Sequence, residues 1–123
     1  MLIAKGSITY EVQPGFSIHD GREYWDLVNG GSWEPETFNI MQQYLSPKHS
    51  YIDIGAWVGP TVLFGAQLAK ECYAVEADPV AYSGLLKNLS LNPVISNVHA
   101  DNVAISSATG FAEIGCRITK GDG

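Results

Sequence analysis

The sequence predicts an α/β chain whose larger part is the first βαβαβ half of a doubly wound parallel sheet. Three observations carry this. β-prone and helical runs alternate from Tyr51 onward, which implies parallel strands joined by right-handed crossovers. A glycine-bearing loop, Gly55-Ala-Trp-Val-Gly59, sits between the first strong strand and its helix. An acidic residue, Glu76, ends the next strand. Two segments are expected: a small β-meander over residues 1–31, and a partial Rossmann-like unit over 32–123.

In the first segment, Ile8-Thr-Tyr-Glu-Val12 alternates with period two and Gln13-Pro-Gly15 turns the chain. Phe16-Ser-Ile18 and Tyr24-Trp-Asp-Leu-Val28 read as further β-prone runs, separated by a turn at His19-Asp-Gly21 and closed by Asn29-Gly-Gly31. A helix follows, with Pro35 in its first turn and Phe38, Met41 and Leu45 at helical spacing, stopped by Ser46-Pro47.

Tyr51 to Ile54 is the first strand of the sheet, and Pro60 to Lys70 its helix, packing through Val62, Leu63, Ala66 and Ala69. Cys72 to Val75 is the second strand. Asp78 as N-cap and Pro79 as first residue open a helix through Leu91, with Leu85, Leu86 and Leu89 inward. Asn97 to Ala100 forms the third strand and Phe111 to Ile118 a fourth.

The chain has 123 residues, 46% hydrophobic and 16% charged, enough to bury a core in one compact unit. Its formal net charge is −6, which argues against nucleic acid as a partner, since phosphate binding needs clustered Lys and Arg. No run approaches a membrane span and no secretory leader is evident, so a cytoplasmic, membrane-free protein is expected. Cys72 and Cys116 belong to no C-x-x-C pair, which speaks against zinc. Cys72 reads as a small core residue. A disulfide between the two stays open, but the missing leader disfavours it. His19, His49 and His99 have no triad or metal spacing.

Ligands of such sheets lie at the carboxyl ends of the strands. Gly55 can take backbone angles other residues resist, Gly59 allows close approach of a ligand, and Glu76 can accept hydrogen bonds from both hydroxyls of a ribose. The dinucleotide pattern G-x-G-x-x-G fails in both registers: one would need glycine at Ile54 and Ala56, the other at Trp57 and Pro60. Asp53 would also set a carboxylate near a pyrophosphate. A cofactor with an ammonium and a sulfonium suits this acidic end better, so S-adenosylmethionine is favoured over NAD. Each site residue has a bland alternative: Asp53 and Glu76 as solvated strand ends, Glu34 as a favourable acid in a helical first turn, Asp78 as an N-cap, Asp101 as loop polarity, Trp57 as packing.

The runs Trp33-Glu-Pro-Glu-Thr-Phe38, Tyr51 to Thr61 and Tyr73-Ala-Val-Glu-Ala-Asp-Pro79 resemble the FkbM family of S-adenosylmethionine-dependent methyltransferases. Asn88, Leu91-Asn-Pro93 and Asn102-Val-Ala-Ile-Ser106 continue the likeness, over roughly residues 30 to 118. The resemblance implies a class I methyltransferase fold, here its truncated first half, and O-methylation of a hydroxyl-bearing small molecule such as a sugar or natural product, with S-adenosylhomocysteine as product. It assigns Asp53, Gly55, Ala56 and Gly59 to the methionine end, Glu76 to the ribose, Ala77 and Asp78 to one side of the adenine, and Asp101, Asn102 and Val103 to its edge. Glu34 would reach the methionine amino group. The family order 3-2-1-4-5 places a further strand beside Tyr51–Ile54, so the chain is expected to be a fragment with no catalytic base of its own. Its open edge is expected to pair with a second copy or lie under the meander. A non-catalytic binding or assembly module retaining the fold remains the alternative.

Overall fold

A computed structural model of the chain describes residues 1–18 and 21–115. Strands β1 (Leu2–Lys5) and β2 (Ile8–Glu11) form an antiparallel hairpin. Helices α1 (Tyr24–Gly30) and α2 (Pro35–Tyr44) follow, then β3 (Tyr51–Ile54), α3 (Pro60–Gly65), β4 (Cys72–Val75), α4 (Pro79–Ser90) and β5 (Val98–Asp101). The last three strands are parallel, in spatial order β3-β4-β5, with Ile54, Val75 and Asp101 in register at their carboxyl ends. This is the expected half of a doubly wound α/β fold.

The N-terminal segment is not a meander. Period two holds in β2, where Ile8 and Tyr10 are buried and Thr9 and Glu11 exposed. The run Tyr24 to Val28, however, is helical. Its buried residues Tyr24, Trp25 and Val28 form a one-sided helical stripe, and Gly31 ends it in the left-handed conformation at φ 76°. A five-residue apolar run cannot distinguish the two periods by itself. Between them, Phe16 to Ile18 contributes only the isolated bridge Ser17–Glu23. Of the turn expected at His19-Asp-Gly21, His19 and Asp20 lie outside the described residues, and Gly21 has φ 79°.

Helix α3 is shorter than the sequence suggests, ending at Gly65 rather than Lys70. Its last turn tightens, with the amides of Gln67 and Leu68 donating to Phe64 and Gly65 carbonyls at 3.3 and 3.0 Å. The side-chain amide of Asn97 then reaches the carbonyls of Ala66, Ala69 and Lys70 at 2.8, 3.1 and 3.2 Å. Asn97 therefore serves the end of that helix, and β5 begins one residue later than expected. In α4 the inward stripe is Ala81, Leu85 and Asn88, which leaves Leu86 exposed rather than buried. Phe111 to Gly115 forms no strand, and its side chains are exposed. Among the described residues no strand lies beside it to satisfy its backbone. Cys116 and the rest of that expected strand lie outside the described residues.

One apolar cluster joins both segments, from Ile3, Tyr10 and Trp25 to Val58, Leu63, Phe64 and Leu85. Two buried asparagines stitch the segments together. Asn88 accepts from the Gln13 amide and donates to the Val58 carbonyl, both at 2.8 Å. Asn92 accepts from the Glu11 amide at 2.8 Å and donates to the Glu11 carbonyl at 2.7 Å. The hairpin packs on α1 and α3 and does not cover the edge of β3. The far sheet face carries exposed Ile52, Ile54 and Tyr73. No helix among the described residues is long and apolar enough to cross a membrane.

Candidate functional site

The carboxyl ends of β3, β4 and β5 gather most of the residues expected there. Asp53 lies on the helix-covered face of β3, partly buried, and its Oδ2 accepts a 2.6 Å hydrogen bond from the Thr61 hydroxyl. Burial pushes the Asp53 carboxyl above its ordinary range; the Thr61 hydrogen bond pulls it back and the charge of Glu76 pushes it further up. Beneath it, burial raises the Cys72 thiol to about 11.

The loop from Gly55 to Gly59 turns inward on itself. The amides of Gly55 and Ala56 both donate to the Val75 carbonyl, at 2.9 and 3.0 Å, and that of Gly59 to the Ala56 carbonyl at 2.9 Å. The Trp57 amide donates to Glu76 Oε2 at 2.7 Å. A phosphate-binding loop must present its amides to the ligand. Here four are used within the protein, and two carboxylates stand beside them. A pyrophosphate does not fit this site, whereas an ammonium, a sulfonium or a ribose hydroxyl finds acceptors.

The two glycines differ in kind. Gly55, at φ 82°, faces open space where an added Cβ meets nothing within 4 Å. Gly59, at φ 90°, packs against Leu85, and a Cβ there would stand 2.6 Å from its Cδ1. Its left-handed backbone and the close packing of α4 both favour glycine at Gly59. The only described non-glycine residues with positive φ are Trp57 at 48° and Glu34 at 38°. Each such position costs of order 1 kcal/mol, and strain of this kind gathers at functional sites.

Glu76 is buried, its second oxygen accepting from the Asp78 amide at 2.7 Å. Each carboxylate oxygen keeps a lone pair, so the residue that closes the loop can still accept from a ribose. Asp78 is an N-cap, its Oδ1 accepting from the Val80 amide at 2.8 Å. Ala77 lies between them, half-buried. Asp101, Asn102 and Val103 are exposed at the end of β5. The Asn102 side-chain amide donates to the Glu76 and Ala77 carbonyls at 2.7 and 3.1 Å. Its nitrogen therefore ties two loops together, leaving its oxygen for the adenine-edge contact expected of it.

Glu34 is exposed at the start of α2, with Oε2 accepting from the Thr37 hydroxyl at 3.1 Å. An aromatic ladder connects its neighbour to the loop: the Trp33 ring lies 5.3 Å from Tyr24, and Tyr24 4.5 Å from Trp57. Trp57 thus packs edge-on into this ladder. Burial first, then the charges of Tyr10 and Glu34, hold the Tyr24 hydroxyl protonated. Sequence reasoning missed Thr61 as the partner of Asp53, and the roles of Asn88 and Asn92 within the core. A hydroxyl in the first turn of the helix after an acidic strand end was the signal for the first.

This architecture is the Rossmann-like methyltransferase fold. It is similar to an rRNA methylase from Streptococcus thermophilus, with TM-score 0.52 and 20% identity over 56% of this chain and 41% of that one. Trm5 of Methanocaldococcus jannaschii, solved with adenosine, has TM-score 0.51 and 23% identity over 82% of this chain and 28% of its own. The structure of aTrm5 with tRNALeu matches with TM-score 0.50 and 21% identity, over 79% and 32% respectively. The chain thus spans less than half the length of each protein. No family model matches it, so the FkbM likeness rests on the motifs quoted above. The exclusion of nucleic acid is corrected: proteins of this fold include rRNA and tRNA methyltransferases, one solved on its tRNA. A net charge of −6 averages over the whole chain and says little about any one surface.

Proposed function

We propose that the chain binds S-adenosylmethionine at the carboxyl ends of β3, β4 and β5, as the donor-binding half of a methyltransferase. The observation that carries this is the Gly55–Gly59 loop, with its amides turned inward and Asp53 and Glu76 beside it. Asp53 and the loop backbone would take the methionine ammonium, aided by Glu34. Glu76 would take the ribose hydroxyls, and Ala77, Asp78, Asp101, Asn102 and Val103 would surround the adenine. S-adenosylmethionine, when bound, supplies an electrophilic methyl group. The chain's residues hold the donor in line for an acceptor, and orientation supplies much of the acceleration in such transfers.

The sequence resemblance supports a hydroxyl oxygen of a sugar or natural product as acceptor. The shared fold with rRNA and tRNA methyltransferases supports RNA as a second acceptor class. Calorimetric titration with S-adenosylmethionine tests the donor site, and Glu76→Ala should weaken binding at least tenfold if both ribose hydroxyls bond to it. Methyl-labelled S-adenosylmethionine incubated with total RNA or with glycan and polyketide hydroxyls separates the acceptors. Absence of any donor binding would favour a non-catalytic assembly module.

A further inference from the structure

The Asp53 carboxylate has two oxygens, and the protein itself fixes one of them. The Thr61 hydroxyl donates to Oδ2 at 2.6 Å, the length of a strong hydrogen bond to an ionised acceptor. Thr61 is held in turn, because the Tyr51 hydroxyl donates to its backbone carbonyl at 2.9 Å. Tyr51 and Asp53 lie on the same face of β3, two residues apart, and Thr61 opens α3 beside Pro60. A closed chain results: strand residue Tyr51 anchors the first turn of the helix, whose hydroxyl returns to strand residue Asp53.

We propose that Thr61 is the positioning residue of the methionine-end subsite, keeping Asp53 ionised and directing its free oxygen, Oδ1, toward the ligand ammonium. This rests on the reading of the site as an S-adenosylmethionine pocket. The physical need is clear from the surroundings. Burial opposes a charge on Asp53, and the groups that face it are Tyr51 on its own strand, Cys72 and Glu76 from β4 and its end, and Thr61 from α3. Among them the Thr61 hydroxyl, by its hydrogen bond, stabilises the ionised form. Without its hydroxyl, the carboxyl would hold its proton to higher pH and lose its directing contact.

The test compares two ligands on the full chain across pH 4 to 8. S-adenosylhomocysteine carries the amino-acid end, and adenosine lacks it. Both ligands carry the adenosine end, so their affinity ratio isolates the subsite for the amino-acid end, where Thr61 bonds Asp53. Thr61→Val should weaken S-adenosylhomocysteine about tenfold near neutrality, shift the acid limit of the ratio to higher pH, and leave adenosine within about twofold. Thr61→Ser should restore both the affinity and the pH limit. Should Thr61→Val fail to fold, Thr61→Ala carries the same readouts. Equal loss of both ligands, or an unchanged ratio in the valine and alanine variants, would overturn the positioning role while leaving the pocket intact. If the unmodified chain binds neither ligand, the pocket reading itself fails.

Discussion

Two loops leave the same end of the sheet and could hardly be more different. The one after β3 spans five residues, Gly55 to Gly59, with four of its amides bonded inside the protein and Val58 wholly buried beneath it. The one after β5 runs from Asn102 to Gly115 with every residue exposed, among them Val103, Ile105, Phe111 and Ile114. The first is specified by groups nearby: a strand-end carboxylate, a glycine packed on a leucine, an asparagine one helix away. The second shows apolar side chains, and among the described residues no element packs against them. The carboxyl end of the sheet is thus densely bonded after β3 and solvent-facing after β5.

That contrast can be broken most strongly at Asn88. Replacing it by Leu leaves the Gln13 amide and the Val58 carbonyl buried without partners, and should cost about 3 kcal/mol by denaturant unfolding. Gly59→Ala forces a side chain into left-handed backbone against Leu85 and should cost about 2 kcal/mol, whereas Gly55→Ala, in open space, should cost about 1 kcal/mol through φ alone. At the other loop, Phe111→Ser should change stability by less than about 0.5 kcal/mol. Equal effects at Gly59 and Phe111 would erase the distinction between the loops.

Asp53 sharpens the comparison from the functional side. Its carboxyl is raised above the ordinary range chiefly by burial, so the folded state binds that proton more readily than the unfolded chain. Ionisation therefore costs stability. The cost is absent below the ordinary carboxyl range and grows as pH rises through the elevated folded value. Asp53→Asn should flatten this slope and slightly stabilise the chain at neutral pH, while abolishing preference for the amino-acid end of the ligand. Thermal melts from pH 3 to 7, paired with S-adenosylhomocysteine titrations, check both halves of the prediction.

The parallel strands, the positions of Asp53 and Glu76, and the Asp78 cap were legible because each depends on few neighbours in sequence. The strand Tyr51–Ile54 and the strand Cys72–Val75 have the expected bounds. What escaped depended on distant partners. Tyr24 to Val28 became a helix because its stripe meets the hairpin core, Asn97 left β5 to serve the end of α3, and Gly59 answers to Leu85 on another helix. Net charge misled because it carries no positional information. Thr61 was within reach of sequence reasoning, since the residue sits eight positions after Asp53 at the helix start, but only geometry reveals the bond.

On this reading the strand-end site recognises an ammonium and a ribose rather than a phosphate. Calorimetric titration of the full chain with S-adenosylhomocysteine and with NAD, under identical conditions, tests it most directly. Saturable one-to-one binding of S-adenosylhomocysteine is expected, weakened at least tenfold by Glu76→Ala, with no measurable heat from NAD. Binding of NAD as tight as that of S-adenosylhomocysteine, or binding of S-adenosylhomocysteine that is indifferent to Glu76, would contradict it.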